Sequence, residues 1–388
     1  MRTVPLGILL VYALILLGEL SWASLIPLVP TFADQLHLSQ ATAGLLAGAT
    51  GVAVLAVSIP AGRLADRLGA RRLTLAAAAL MSGALVAHAI PGFWPLLAAR
   101  FVFGIGFGTV WTAGVAWIGE LSPPERRNQA LARPMTIAGV AFMVGPVVSG
   151  AVAQAIGVRA PFIAIGVAGI VVGLLLLRVP EPRREHRPAM PSLRETLRRA
   201  GREPIVVASL AFTLIASCAS SAIYLLVPLQ LHDDGISAGG IGAAFSVGAL
   251  VFALASFLVA RLGARATKLV VGGAAVGLLA AVLVVPIASA SVPSLVGLLV
   301  LRSPLFAVLF GISFPLAAIG ADRAGIGRGV VLGLLNGVWA LANVIGPVAG
   351  GALADVAGRS SVYLVLVAGS ALAAVWLLPR RRLRPVPS

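Results

Sequence analysis

Apolar residues in this chain run continuously for long stretches and stop at Arg, Pro or polar clusters. The runs fall at about 5–30, 41–61, 73–90, 95–119, 130–154, 160–178, 204–230, 238–260, 268–288, 294–319, 329–354 and 360–378. Each is long enough to cross ~30 Å of hydrocarbon as a helix rising about 1.5 Å per residue. A helix is what lipid requires, because backbone N–H and C=O groups there must bond within their own segment. The pattern predicts an all-α membrane protein of twelve transmembrane helices. The first run is too long for a cleavable signal; it carries Glu19 and ends at Pro27 and Pro30 without a cleavage-like site.

Composition narrows the class. Of 388 residues, 59% are apolar and 11% charged, whereas a soluble domain carries about 25% charged residues. A cytosolic enzyme, a disordered regulator and a secreted disulfide scaffold are excluded. The single cysteine, Cys218, excludes internal disulfides and Cys-built metal sites. The net charge of +16 would point to nucleic acid in a soluble protein, but the side on which each charge falls gives another reading. On one side lie Arg2, then Arg63, Arg67, Arg71 and Arg72, then Arg126, Arg127 and Arg133. The same side takes eight residues from Arg178 to Arg202, then Arg261, Arg265 and Lys268, then Arg323 and Arg328, and four after Pro379. That is 25 of the 29 Lys and Arg; Arg159 and Arg359 lie opposite, and Arg100 and Arg302 inside spans. The excess of positive charge marks the cytoplasmic side. Both termini and the 179–203 loop are therefore expected in the cytoplasm, and no nucleic-acid partner is expected. The partners left are the lipid bilayer and a small-molecule substrate, with the protein a monomer in a plasma (inner) membrane. High Ala, Arg and Gly usage points to a GC-rich bacterial genome.

The hydrophilic stretch 179–203 divides the spans six and six, giving bundles at 1–178 and 204–388, the second with a basic cytoplasmic tail. Its 193–202 part, with Leu193, Leu197 and mixed charge, is expected as a short surface helix. The halves repeat. Leu28-Val29-Pro30 matches Leu226-Val227-Pro228 at an offset of 198, and Gly145-Pro146 matches Gly346-Pro347 at 201. Arg67-Leu68-Gly69-Ala70-Arg71 matches Arg261-Leu262-Gly263-Ala264-Arg265 at 194. A duplicated six-helix unit with its site near the midplane is typical of secondary transporters.

The loop after the second span reads GRLADRLGARR, from Gly62 to Arg72. Positive-inside charge and a tight turn account for its arginines but not for Asp66, which weakens the retention signal around it. Gly62, Asp66, Arg67, Gly69, Arg71 and Arg72 resemble the signature loop of the major facilitator superfamily, with Ala70 where an Arg is usual. The resemblance implies two pseudo-symmetric six-helix bundles and a loop that locks a cytoplasmic gate. It also implies a charge relay to an acid at the inner end of the fourth span, a place Glu120 fills. In the second copy Ala260 replaces the Asp, so that copy is expected to be structural.

Arg100 lies inside the fourth span, ahead of Gly104, Gly106 and Gly108. An intramembrane Arg either faces a partner or a wet cavity, or snorkels to the interface. Arg100-x-x-x-Gly104-x-Gly106 resembles the family's fourth-span motif, whose Arg is linked to proton coupling; Arg302 is its repeat counterpart. In the fifth span, AFMVGPVVSG has a kinking Pro146 between Gly145 and Gly150, which permit close packing. It resembles the motif of the twelve-span drug:proton antiporter group, with Ala141 and Ser149 where Gly is usual. The eleventh span has its own GPVAGG, with Gly346 and Pro347.

Glu19 is the only acidic residue deep in any span; the other twelve sit in loops or at span ends. It lies about 13 residues, or about 20 Å, from the inner end of its helix. A carboxyl group at that depth is suited to holding and releasing a proton, unless it is a permanently paired structural group. Its repeat counterpart, Ser217, carries no carboxylate, so no symmetric structural demand exists. Glu19 is expected to be the proton-binding site, with Arg100 its partner if the first and fourth spans share a cavity. Tyr12, Trp22, Trp111, Trp117, Tyr224, Gln230, Asn336, Trp339 and Asn343 are candidates to line a substrate cavity. Trp22, Trp94 and Trp376 also fit interface anchors. His88 is expected near the outer interface, and His232-Asp233-Asp234 lacks further ligands for a metal.

Enzyme signatures and a Walker loop are missing, and the Gly-x-Gly runs lack a strand–helix context. No enzyme, metal or organic cofactor is expected, only a proton as coupling ion. The reading is alternating-access efflux of an amphipathic or cationic small molecule, by multidrug-type antiport. The alternatives are a proton symporter or facilitator for a sugar or organic acid, and a non-transporting membrane sensor or scaffold.

Overall fold

A computed structural model describes residues 5–180 and 193–377. Arg2, residues 181–192 of the central stretch and the basic tail after Pro379 lie outside the described residues. So does the placement of both termini. Every regular element among the described residues is helical. Eleven are long and apolar enough to cross a membrane, and the apolar 17-residue helix Ala160–Leu176 is the twelfth, about 25 Å long. The all-α membrane fold is as the hydropathy pattern predicts.

Spatial contacts divide the chain into two units, one of Met1–Pro188 with Gly235–Ser246, the other of Ala189–Asp234 with Val247–Ser388. In unit 1, α1 (Leu6–Leu36), α2 (Gln40–Leu68) and α3 (Ala70–Val86) are followed by α4 (Phe93–Thr109). A π-helical turn, Val110–Gly114, joins α4 to α5 (Val115–Leu121), and the two form one span. Then come α6 (Arg127–Ile156) and α7 (Ala160–Leu176). In unit 2, α8 (Leu193–Arg202) precedes α9 (Pro204–Asp233). Helix α10 (Ala238–Leu262) begins among the residues grouped with unit 1, and α11 (Leu269–Val282) and the short α12 (Val285–Ala288) follow. The chain then forms α13 (Val292–Ala324), α14 (Arg328–Ala357) and α15 (Arg359–Leu377).

Two boundaries differ from the sequence pattern. Helix α1 continues past Pro27 and Pro30 to Leu36 and turns at His37, whose φ is 52°. A proline inside a bundle removes one donor, and neighbouring groups can satisfy the freed carbonyl. The predicted 268–288 span breaks into α11 and α12 just ahead of Pro286. Helix α8 is present as expected, and it is docked: Ala200 is buried with Val206, Ala317, Ala321 and Ile326.

In unit 1, α1 packs on α6 and α7, α4 on α2 and α3, and α3 on α7; in unit 2, α9 packs on α13 and α14, and α11 on α15. Without a hydrophobic drive between helices in lipid, close van der Waals approach must hold such bundles, and small residues allow it. A Cβ at Gly106 would lie 2.7 Å from the Met81 backbone N, and one at Gly104 2.7 Å from the Thr50 carbonyl. Two residues apart, these glycines seat α4 on α3 and on α2 respectively.

Candidate functional site

Unit 1 places Glu19 midway along α1 with 6% of its surface exposed. The face around it packs on the fourth span, where Phe103, Phe107 and Trp111 form a stripe at four-residue spacing. Phe103 and Phe107 stack with centroids 5.6 Å apart, and Trp22, one turn beyond Glu19, lies 5.4 Å from Phe107. Gly18 makes room for the stripe, since a Cβ there would sit 2.6 Å from the Phe107 ring. Trp111 ends it and donates its indole N–H to Glu19 Oε1 at 2.8 Å.

That bond comes from the π-turn, where one extra residue is accommodated in the backbone ladder, a device common at functional sites. Sequence reading put Trp111 in a cavity wall but did not foresee it as the carboxyl group's donor. A wide turn leaves hydropathy unchanged; the only trace is the loose helix-former run Thr109-Val110-Trp111-Thr112.

Arg100 is deep inside unit 1, 1% exposed, which removes the snorkelling alternative. Its Nε and Nη1 have no hydrogen-bond partner, and its Cζ lies 5.2 Å from the Phe103 ring centroid. Glu19 takes its one side-chain bond from Trp111, so the expected Glu19–Arg100 pair is not formed in this conformation. Depth explains this. Arg100 and Trp111 stand eleven residues apart on one span, about 16 Å, beyond what either side chain bridges.

The helix behind Glu19 carries the fifth-span motif. A Cβ at Gly145 would lie 2.9 Å from Ala23 Cβ, and the Ser149 hydroxyl reaches Ser24 O at 3.4 Å and Pro146 O at 3.2 Å. Buried Ala141, Ser149 and Gly150 continue the seam. In unit 2, Gly346 meets Ser221, and its added Cβ would be 2.9 Å from Cys218 O.

Other candidates separate by burial. Tyr12 donates to Ala130 O at 2.7 Å, tying α1 to α6. Trp22 is buried and is no interface anchor, while Trp94 is 73% exposed. Trp117 is wholly buried. Gln230 Oε1 accepts from Tyr363 Oη at 2.8 Å, a partner not foreseen. Tyr224 lies under the guanidinium of Arg302, 5.4 Å to the centroid, with Phe306 at 4.9 Å. Asn343 Nδ2 turns back to Trp339 O at 2.9 Å, whereas Asn336 is exposed. His88 is buried rather than interfacial, stacked on Phe162 at 4.7 Å with Nδ1 on Ala84 O at 2.8 Å. Asp233 pairs with Arg359 at 2.5 Å, and no cluster of metal-ligating side chains occurs among the described residues.

In the signature loop Gly69 has φ 99°, a turn only glycine makes readily, between α2 and α3. Arg71 donates from Nε to Val179 O at 2.7 Å and from Nη2 to Leu177 O at 2.8 Å. It thereby caps the orphan carbonyls at the end of α7, where a cation also suits the helix dipole. Asp66, Arg67, Arg72 and Glu120 all have interaction partners.

The model of the Major Facilitator Superfamily matches residues 11–327. The chain is 33% identical over 163 residues to an uncharacterised MFS-type transporter of Mycobacterium tuberculosis, covering 41% of this chain and 28% of that protein. It is 25% identical over 253 residues to the quinolone resistance protein NorA of Staphylococcus aureus, covering 62% of this chain and 65% of NorA. With multidrug resistance protein 1 of Bacillus subtilis it shares 25% identity over 371 residues, 91% of this chain and 92% of that protein. An inward-facing bacterial homologue of the lysosomal transporter Spinster superposes with TM-score 0.81 at 18% identity, covering 98% of both chains. The nucleoside transporter NupG gives TM-score 0.75 at 13% identity, over 96% of this chain and 99% of its own.

Proposed function

Because the chain belongs to the Major Facilitator Superfamily, whose members are transporters rather than enzymes, we propose that it exports amphipathic or cationic small molecules in exchange for protons. One observation carries the reading. Glu19 is a lone carboxyl group deep in a span, held by a neutral indole instead of a cation. A carboxyl group fixed by an arginine would stay charged throughout the cycle. One held by Trp111 Nε1–H is free to take up a proton from one side and lose it to the other as cargo binds. The fifth-span motif and the resistance proteins of S. aureus and B. subtilis favour export as the direction.

Alternating access opens the central site to one side at a time. The loop from Gly62 to Arg72, with Glu120, serves as the inner gate, and Arg100 supports proton coupling. The site of action is a bacterial plasma membrane. Each inward proton contributes about 2.3 kcal/mol per 100 mV, enough to concentrate a neutral cargo about 50-fold.

Inverted membrane vesicles test the reading. Adding ethidium to energised vesicles should dissipate the proton gradient in the wild type, and Glu19→Gln should abolish the response while the protein still reaches the membrane. Exchange that persists unchanged in Glu19→Gln removes Glu19 from the mechanism. Ethidium movement that follows the gradient in the same direction as protons favours a symporter.

A further inference from the structure

We propose that Trp111 is a positioning residue for Glu19: by occupying Oε1 it leaves Oε2 as the one atom on which proton and cargo cation compete. The inference rests on the proton-exchange reading above. It starts from an asymmetry between the two carboxylate oxygens. Oε1 accepts the indole N–H at 2.8 Å. Oε2 takes no bond from any described residue, and it is not among the side-chain atoms sealed from solvent without a partner.

The backbone delivers this arrangement. The π-turn Val110–Gly114 is the one wide turn among the described residues, and it contains the donor itself. Close packing fixes the backbone that carries the ring. Phe107 lies one turn before Trp111 against Gly18 and Trp22, and Gly114 lies three residues after it, with Val11 Cγ1 3.1 Å from where its Cβ would be. The segment that carries the indole is thus held on both sides, and the half-buried ring is aimed by its bond to Glu19.

The chemistry follows from counting sites. With Oε1 engaged as an acceptor, the acid form carries its proton on Oε2. A cation approaching the carboxyl group through Oε2 meets that proton, so binding releases it, and reprotonation expels the cation. Proton and cargo then exclude each other on one atom, which is what exchange requires. If Oε1 were free, the proton could sit there while Oε2 contacted the cation, and the exchange would slip.

The test uses full-length protein in proteoliposomes with ethidium as probe, measuring protons released per ethidium bound in weak buffer. Trp111→Phe keeps the ring and removes the donor. The proposal expects the ratio to fall to about half or less while the ethidium Kd changes by under about tenfold, the range of one lost hydrogen bond. A structural role alone would leave the ratio at the wild-type value, and that result overturns the proposal. Should Trp111→Phe fail to fold, tryptophan emission decides. A pH-dependent step in wild-type emission that vanishes in Glu19→Gln supports the indole–carboxyl bond, and an identical step in both proteins refutes it. If Glu19→Gln itself releases protons normally, the underlying exchange reading fails, a result distinct from failure at Trp111.

Discussion

The two units repeat one another, yet their polar interiors are built to different ends. Unit 1 holds Glu19 on an indole and leaves Arg100 with unpartnered nitrogens. In unit 2, Ser217 stands at the counterpart of Glu19 with its hydroxyl unpartnered, and Arg302 likewise keeps an unpartnered Nε. No carboxyl group stands at mid-helix there, however, and other polar groups answer one another. Asp233 meets Arg359, Gln230 meets Tyr363, and Arg302 lies over Tyr224 and Phe306. The fourth span has the π-turn, whereas its repeat, α13, runs unbroken from Val292 to Ala324. What both units keep is the scaffold: a glycine–proline seam on α6 and α14, and a buried arginine on the fourth span and on α13. Duplication has preserved the packing device in both units and left the titratable group in one.

The sharpest way to break this comparison is to move the acid. In the double variant Glu19→Gln with Ser217→Glu, gradient-driven ethidium export should stay below about a tenth of wild type. Position 217 is 1% exposed, and no described π-turn delivers a donor beside it. Restored export would mean that either unit can carry the acid.

A smaller effect separates the two glycine–proline seams. Gly346→Ala should cost about 1–3 kcal/mol, because its Cβ runs into backbone at Cys218 and Ala222 and into Ser221. Gly145→Ala should cost less, about 1–2 kcal/mol. Its one close obstacle is Ala23 Cβ at 2.9 Å, which is fixed to the α1 backbone and yields only if the helices part slightly, while the nearest backbone atom is 3.6 Å away. Thermal unfolding in detergent compares the two, and equal losses would show that the seams are equivalent.

Within unit 2, Tyr363→Phe should destabilise by about 0.6–1 kcal/mol, leaving Gln230 Oε1 without its buried donor. The smallest effect is expected for Arg359→Ala, about 0–1 kcal/mol, since the Asp233 side chain is 59% exposed and the pair is screened by water and salt. Repeating the unfolding measurement at high salt should erase what difference there is. A larger loss for Arg359 than for Tyr363 would reverse this ranking.

The twelve spans were legible because a lipid-embedded backbone must satisfy itself locally, so each helix writes its length into an unbroken apolar run. Glu19 was legible for a related reason: a carboxyl group among such runs stands out on its own. Arg71 was assigned by resemblance to the gate. Its bonds to Leu177 and Val179 depend on where α7 ends beside α3, and no local pattern records that. His88 and Trp22 read as boundary residues from their sequence positions, but the packing of Phe162 and Phe107 buries them.

From the sequence alone came the membrane, the number of spans, their duplication and the acid at mid-depth. Each follows from transfer energies that act residue by residue. The tertiary structure alone decided which atom holds that acid. Arg100 and Trp111 share a span, and only the register of α1 against it, with one wide turn in the backbone, brings the indole to Glu19 and leaves the guanidinium about 16 Å away along the helix.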